Sequence, residues 1–248
     1  DLLNQYKPDI LVTYGGYLGV FFRYAAAHKK EIHKPRIATY GAGSISEPDR
    51  QLIEEELQIP ILSVYNACEA LNLGFTCELR KGFHLHSDLC VVSLIDKKGE
   101  PVEPGECGEV VISNLVNRAM VLLNYRLGDL AVLSKRSCEC GRTFPWLESL
   151  QGRTHEIIEL PDGQVVDPGL LWSVFKKRKE VQGYQVVQRG PWSFAAKVLP
   201  TEGINMKTLE KELRRELQSI FRDKAQVDIL FVKDFPVTAG RKFRSVVP

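Results

Sequence analysis

Asp9-Ile10-Leu11-Val12-Thr13-Tyr14-Gly15-Gly16 is the stretch that decides the fold class. Ile10 to Thr13 is a run of β-favouring residues, and the glycine pair ends it. Leu18 to Lys30 follows, with apolar side chains at Leu18, Phe21, Phe22, Ala25 and Ala26, the three-and-four spacing of a helix with one buried face. Arg36-Ile37-Ala38-Thr39-Tyr40 repeats the strand signal and stops at Gly41-Ala42-Gly43. Ser46 can cap a helix running through Leu57, with Glu47 and Asp49 in the first turn, where the helix dipole favours acids. Ile61 to Tyr65 is a third strand. Strands separated by helices of this length predict a parallel sheet with crossover helices. Ligands of such sheets bind beyond the carboxyl ends of the strands. The loops there are Tyr14-Gly15-Gly16, Tyr40-Gly41-Ala42-Gly43 and Tyr65-Asn66-Ala67-Cys68-Glu69.

From about residue 72 the texture shifts to short strands and turns. Cys90 to Ile95, Gly108 to Ser113 and Asp129 to Ser134 are expected strands, and Asp96-Lys97-Lys98-Gly99 is a hairpin-like turn. This predicts a small, mostly antiparallel β subdomain over 72–150. After Gly152 the pattern changes again. Ile157 to Leu160 and Gln164 to Val166 flank the turn Pro161-Asp162-Gly163, and a helix follows from Pro168 to Lys177. Strands near 184–189 and 193–199 precede a helix at 206–221, whose Leu209, Leu213, Leu217 and Ile220 share a face. Val227 to Val232 closes as a strand. The fold class is therefore α/β in the first part, with a separate small α+β domain at the C-terminal end.

Composition excludes several function classes. Of 248 residues, 44% are apolar and 26% charged, with 33 basic against 31 acidic side chains, and no basic run stands out. A nucleic-acid or anionic-membrane partner would need such a run. The longest uncharged stretch around the first helix, Ile10 to Phe22, is shorter than the roughly 20 residues of a membrane span. No signal peptide opens the chain, and six cysteines are too unevenly placed for a secreted disulfide framework, so a reducing cytoplasm is the expected setting. The first residue is Asp1 and the sequence starts mid-pattern, which predicts a piece of a longer protein.

Five short segments appear in a fixed order: Tyr65-Asn66-Ala67-Cys68-Glu69, Gly105-Glu106-Cys107-Gly108-Glu109, Tyr125-Arg126-Leu127-Gly128-Asp129, Gly152-Arg153-Thr154-His155-Glu156 and Pro236-Val237-Thr238-Ala239-Gly240-Arg241-Lys242. Singly, each has a bland reading as packing, a turn or a solvated charge. In this order the set resembles the later signature motifs of the adenylate-forming superfamily of acyl-CoA synthetases. Gly82-Phe83-His84, Cys138-Glu139-Cys140-Gly141-Arg142 and Lys242-Phe243-Arg244 point within it to phenylacetate–CoA ligases and the adenylating proteins of capsule biosynthesis. The resemblance runs from about residue 8 to 247.

What it implies is an ATP-dependent ligase that joins a carboxylate to AMP, releases pyrophosphate, and passes the acyl group to CoA or another thiol. Tyr65 would stack on adenine, and Gly41, Ala42 and Gly43 would lie against it, small residues permitting close backbone approach. Glu69 would help hold Mg²⁺, a hard cation that prefers carboxylate oxygen. Asp129 would accept both ribose hydroxyls, Arg126 would support its turn and the phosphate side, and Arg153 would reach ribose or phosphate. Lys242 would be the catalytic lysine of the first half-reaction, bridging carboxylate and α-phosphate as charge develops. The resemblance divides the chain into the C-terminal part of a large domain (1–152), a hinge at 153–156 that includes His155, and a mobile α+β domain (157–248). An aromatic acid is the favoured substrate, and homodimeric assembly is left open.

Three signature positions depart from the family pattern. Cys68 stands where a hydroxyl is usual and is a poor donor. His155 replaces the usual linker acid, and Arg241 replaces the glycine before the lysine, so a shifted alignment would make Arg241 the match. The Ser/Thr/Gly-rich phosphate loop with its Lys has no counterpart; Gly15-Gly16-Tyr17-Leu18-Gly19 lacks both features. The piece alone is accordingly expected to be inactive. Two other readings stay open: a non-catalytic nucleotide-binding or interaction module, and a zinc-stabilised interaction domain without a nucleotide site. Cys77, His84, Cys138 and Cys140 together make a Cys/His set suited to a structural zinc ion. His86 is the competing imidazole, although two residues on along a strand it would face the other way. Cys90 and Cys107 read as ordinary strand and turn residues.

Overall fold

The computed structural model describes residues 1–176, 178–235 and 244–248. The chain divides into two compact units, residues 1–45 with 49–150, and residues 46–48 with 151–248. In chain order the elements are α1 (Leu2–Tyr6), β1 (Ile10–Tyr14), α2 (Gly15–Ala27), β2 (Ile37–Gly41), α3 (Glu47–Gln51), β3 (Ile61–Ala67), β4 (Leu71–Thr76), β5 (Phe83–Leu85), β6 (Cys90–Ile95), β7 (Cys107–Asn114), β8 (Tyr125–Leu133), β9 (Trp146–Arg153), β10 (Ile158–Glu159), β11 (Val165–Val166), α4 (Pro168–Lys176), β12 (Val181–Gly190), β13 (Ser193–Pro200), α5 (Met206–Phe221), β14 (Gln226–Phe231) and β15 (Val246–Val247).

The expected parallel core is present. β1 lies beside β2 with Ile10 opposite Ile37 and Tyr14 opposite Gly41, and β2 lies beside β3 with Thr39 opposite Leu62, all parallel. Leu18 and Phe22 of α2 pack with Ala38, Ile53, Ile59 and Ile61 into one apolar cluster. The register brings the carboxyl ends of the three strands to one edge of the sheet.

Several boundaries differ from the sequence reading. α2 starts at Gly15 and ends at Ala27, because the glycine pair opens the helix rather than merely ending the strand. The helix expected from Ser46 to Leu57 is α3 followed by a wider, π-type turn over Leu52–Glu56. That wider turn accompanies burial of Ile53 and the pairing of Glu54 with Arg50 and Arg80.

Residues 72–150 add antiparallel strands to the parallel ones. β4, which carries no strong strand signal, folds back antiparallel on β3, and β5 continues the ladder. One nine-stranded sheet results, in the order β1-β2-β3-β4-β5-β9-β8-β7-β6. Its antiparallel part has its own core, with Leu73, Leu85, Leu94, Val110, Ile112, Ala131 and Leu147 buried.

Gly82 is a spacing requirement of this sheet. A Cβ there would sit 2.0 Å from the Leu147 carbonyl oxygen and 2.7 Å from the Trp146 ring. A backbone carbonyl cannot rotate away as a side chain can. Gly82→Ala is therefore expected to destabilise the first unit by about 1–3 kcal/mol, the usual cost of overpacking. Urea unfolding followed by tryptophan fluorescence measures it, and an unchanged midpoint would contradict the close approach.

In the second unit, four strands run in the order β14-β13-β12-β15. α4 and α5 cover this sheet. The buried stripe of α5 is Leu209, Leu213, Leu217 and Phe221, with Ile220 only partly buried against it. The fourth position is Phe221 rather than Ile220. Asn205 caps α5 by accepting from the Thr208 N–H at 3.2 Å. Arg178 ties the end of α4 to α5 through Glu212 at 2.7 Å and Glu216 at 2.5 Å. Among the described residues no helix is long and apolar enough to cross a membrane.

Candidate functional site

β3 delivers Tyr65 to the carboxyl edge of the sheet, and a register irregularity follows it at Asn66. The ring is 6% exposed and meets Phe83 edge-on at 6.1 Å. Its hydroxyl donates to Asp129 Oδ2 at 2.8 Å. Two motif residues 64 positions apart are thus joined by one hydrogen bond, which no spacing argument anticipates. Asp129 lies in the middle of β8, directly after Gly128, whose φ of +75° suits a residue without a side chain.

The Tyr40 to Gly43 loop emerges at the same edge, since Tyr40 pairs with Ser63 two residues before Tyr65. Ala42 has a φ of +53°, in the left-handed region that costs a side-chain-bearing residue energy. Glu69 sits in the turn after β3. Asn114 Nδ2 donates to its carbonyl at 3.1 Å, and the Tyr125 hydroxyl approaches its carboxylate at 3.5 Å. Cys68 beside it is exposed.

Arg126 is held by Glu109. Its Nε lies 2.9 Å from Glu109 Oε2, and Nη2 contacts the same oxygen. The Glu109 hydrogen bond, followed by its charge, raises the guanidinium pKa. This explains the last residue of the Gly105–Glu109 segment, to which no role had been given: it braces β7 against β8 behind Asp129. A buried acid, 9% exposed, in a strand facing an arginine is the signal that identifies it.

Arg153 and His155 belong to the second unit. Arg153 precedes a short 3-10 turn over Thr154–Glu156, and its backbone N–H donates to Glu156 Oε2 at 3.1 Å. Gly152, with φ of +115°, leaves room for that carboxylate, because a Cβ there would lie 2.9 Å from Glu156 Oε2. The acid that organises this segment is thus Glu156, one place after His155. The sequence reading looked for it at His155 and missed it. Lys242, like Arg241 and the rest of its motif from 236, lies outside the described residues.

A second constellation forms around β5. One ligand atom from each of Cys77, His84, Cys138 and Cys140 lies within 4.8 Å of the others. Cys77 Sγ is 3.8 Å from Cys138 Sγ, and Cys140 Sγ is 3.4 Å from His84 Nε2. His84 is fully buried, and its Nδ1 has no hydrogen-bond partner among the described residues. Burial, then the charge of Arg142, holds its pKa below the ordinary histidine value, which keeps the imidazole neutral. Desolvation opposes ionisation of Cys140, but hydrogen bonds from the Arg142 backbone and guanidinium and from Cys138 and Cys77 outweigh it and bring its pKa to about 7. His86 is not in this group; its ring packs on Phe75 at 5.1 Å. Cys90 is a strand residue, and Cys107 opens β7 rather than occupying a turn.

Comparison with known proteins agrees with the motif resemblance. Residues 158–248 match the model of the CapK C-terminal domain. Phenylacetate-coenzyme A ligase of Thermus thermophilus is 29% identical over 196 residues, covering 76% of this chain and 44% of that protein. The phenylacetate-coenzyme A ligase of Escherichia coli K12 is 24% identical over 222 residues, covering 84% of this chain and 50% of its own length. The chain therefore spans about half the length of these relatives. Among solved structures, 2-hydroxyisobutyryl-CoA ligase in its postadenylation state with R3-HIB-AMP superposes with a TM-score of 0.78 at 16% identity, covering 99% of this chain and 56% of that one. A benzoate CoA ligase from Burkholderia xenovorans LB400 gives 0.69 at 17% identity, over 96% and 50%. The fold is that of these two CoA ligases.

Proposed function

We propose that this chain forms the C-terminal part of an ATP-dependent carboxylate-activating ligase that makes an acyl-adenylate, releases pyrophosphate and transfers the acyl group to CoA. The observation that carries the reading is the Tyr65–Asp129 hydrogen bond at the carboxyl edge of the sheet, beside the Gly41-Ala42-Gly43 loop. Tyr65 would stack on adenine, and Gly41, Ala42 and Gly43 would bring backbone close to it. Asp129 would supply carboxylate oxygen to the ribose hydroxyls. Arg126 positions this acid by bracing β7 on β8. Glu69 supplies carboxylate oxygen to Mg²⁺. From the second unit, Arg153 would reach ribose or phosphate and Lys242 would act on the α-phosphate. The unit would turn on residues 153–156, where Gly152 takes up a backbone conformation closed to other residues.

An aromatic acid is the proposed substrate, by analogy with the phenylacetate- and benzoate-activating relatives. CoA is the proposed acceptor. Zinc is the ion that the donor set of Cys77, His84, Cys138 and Cys140 suits. The unpartnered apolar surface of the first unit supports its being part of a larger assembly. Val12 is 71% exposed, Tyr14 64% and Tyr17 66%, on β1 and α2 of a parallel sheet. Parallel strands are ordinarily covered on both faces.

The test is pyrophosphate release by the full-length protein carrying this chain, against a panel of carboxylates including phenylacetate and benzoate. Asp129→Ala is expected to weaken AMP binding by about 1.5–3 kcal/mol, roughly ten- to hundredfold in Kd, from the loss of charge-assisted hydrogen bonds. Calorimetric titration reads it, and unchanged affinity would remove Asp129 from the site. The second reading, a non-catalytic nucleotide-binding module, is favoured by Cys68, His155 and Arg241 at signature positions. Tight AMP binding with no pyrophosphate from any carboxylate would establish it instead.

A further inference from the structure

We infer that Cys77, His84, Cys138 and Cys140 hold one zinc ion through three sulfurs and His84 Nε2, and that this ion fixes the wall of the nucleotide site by holding β5 against Tyr65. The second half rests on the nucleotide reading above; the first does not.

The ligand separations carry the first half. Zinc binds thiolate sulfur at about 2.3 Å and imidazole nitrogen at about 2.0–2.1 Å, so a tetrahedron has sulfur–sulfur edges near 3.8 Å and sulfur–nitrogen edges near 3.5 Å. The two separations here are 3.8 Å, Cys77 to Cys138, and 3.4 Å, Cys140 to His84 Nε2. All four donors fall within 4.8 Å of one another, and three of the residues are buried. Polar groups gathered in a buried site without strong mutual hydrogen bonds are costly unless something satisfies them together. Neutral imidazole with thiolates is the soft donor set that selects zinc.

The surroundings match a metal centre as well. Three thiolates and Zn²⁺ leave one negative charge, and two cations stand beside the site. Arg142 hydrogen-bonds Cys140 and reaches Glu78 at 2.7 Å, next to Cys77. Lys81 pairs with Glu139 at 2.7 Å, between the two loop cysteines. His84 Nδ1, which has no hydrogen-bond partner among the described residues, is the second nitrogen that a zinc-bound histidine turns to a carbonyl.

β5 supplies the second half. It has three residues, pairs with β9 through Phe83–Leu147 and His84–Trp146, and donates from Leu85 N–H to the Pro145 carbonyl at 2.8 Å. The ion would tie His84, in that strand, and Cys77, just before it, to a loop some 60 residues further on. Phe83 precedes His84 and rests on the Tyr65 ring. Gly74, opposite Tyr65, lies so close to His84 that a Cβ would come within 2.5 Å of its carbonyl oxygen. A shift of β5 therefore reaches Tyr65 through contact.

Elemental analysis of the full chain, purified without added metal, is expected to give one zinc per chain. Cobalt substitution should produce the visible bands of a tetrahedral thiolate site. Cys138→Ser with Cys140→Ser should abolish binding, whereas His84→Cys should retain it as a four-thiolate site and His84→Ala should not. Removal of zinc by a chelator should weaken AMP binding several-fold, and zinc addition should restore it. Less than half an equivalent of zinc with the three thiols freely titratable, or a Cys77–Cys138 disulfide in its place, would overturn the site. Zinc present but AMP affinity indifferent to its removal would overturn the link to Tyr65. Zinc bound by a chain with no AMP affinity would overturn that link and the nucleotide reading together, leaving the metal site standing.

Discussion

Replacing Lys242 with alanine is expected to lower pyrophosphate release by the full-length protein about 10²–10³-fold, the usual loss when one preorganised donor to a developing charge is removed. In adenylate formation the carboxylate and the α-phosphate are both anionic and approach each other, and negative charge builds at phosphorus. An ammonium placed between them is worth more in that transition state than in either ground state, so rate should fall far more than nucleotide affinity. Lys242→Arg should rescue little, because the guanidinium is a wide planar fork and the ammonium a compact point charge. Transfer of an acyl group from a supplied acyl-adenylate to CoA should survive the substitution, since the role proposed for this lysine is confined to the first half-reaction. Single-turnover pyrophosphate release and thioester formation measured separately decide this. Arg241→Ala gives the control: if it, rather than Lys242→Ala, abolishes adenylation, the motif aligns one residue earlier.

The largest stability effect is expected at Phe221. Its ring stacks on Phe194 at 3.9 Å, both side chains are fully buried, and they join α5 to β13 at the centre of the second unit. Phe221→Ala should cost about 3–5 kcal/mol, combining lost transfer energy with the cavity left behind. A domain holding only about 5–15 kcal/mol in total would then be close to unfolding at 37 °C. Phe221→Leu should cost far less. Urea unfolding monitored by far-UV circular dichroism reads both, and an alanine variant within 1 kcal/mol of the wild type would show that the two rings do not anchor this core.

How far the fold was legible depends on which physical signal each segment carries. α5 announces itself because sixteen residues with a leucine every fourth position can bury one face only as a helix. The parallel strands β1 to β3 were equally plain, being runs of β-favouring residues, the first two closed by glycine. β4 and β5 were not. Leu71–Thr76 alternates weakly and contains a glycine, and Phe83–Leu85 is three residues long. Such strands exist because neighbours on both sides complete their hydrogen bonds, which is not a property of their own residues. They link the expected antiparallel strands to the parallel ones in one continuous sheet.

The candidate site divides the same way. Motif order along the chain pointed to Tyr65, Glu69, Asp129, Arg153 and Lys242, and side-chain chemistry alone pointed to the four residues of the cysteine–histidine group. Glu109 and Glu156 were overlooked, since an acid gains a bracing role only when the fold buries it opposite a partner. By itself the sequence nominated the candidate residues and determined which faces must be buried, because periodicity and donor type are local properties. Only the tertiary structure decided what meets what: the Tyr65 hydroxyl on Asp129, Arg126 on Glu109, and Phe83 beside both Tyr65 and His84. Those pairings depend on strand register, and register is set by the whole sheet rather than by any segment within it.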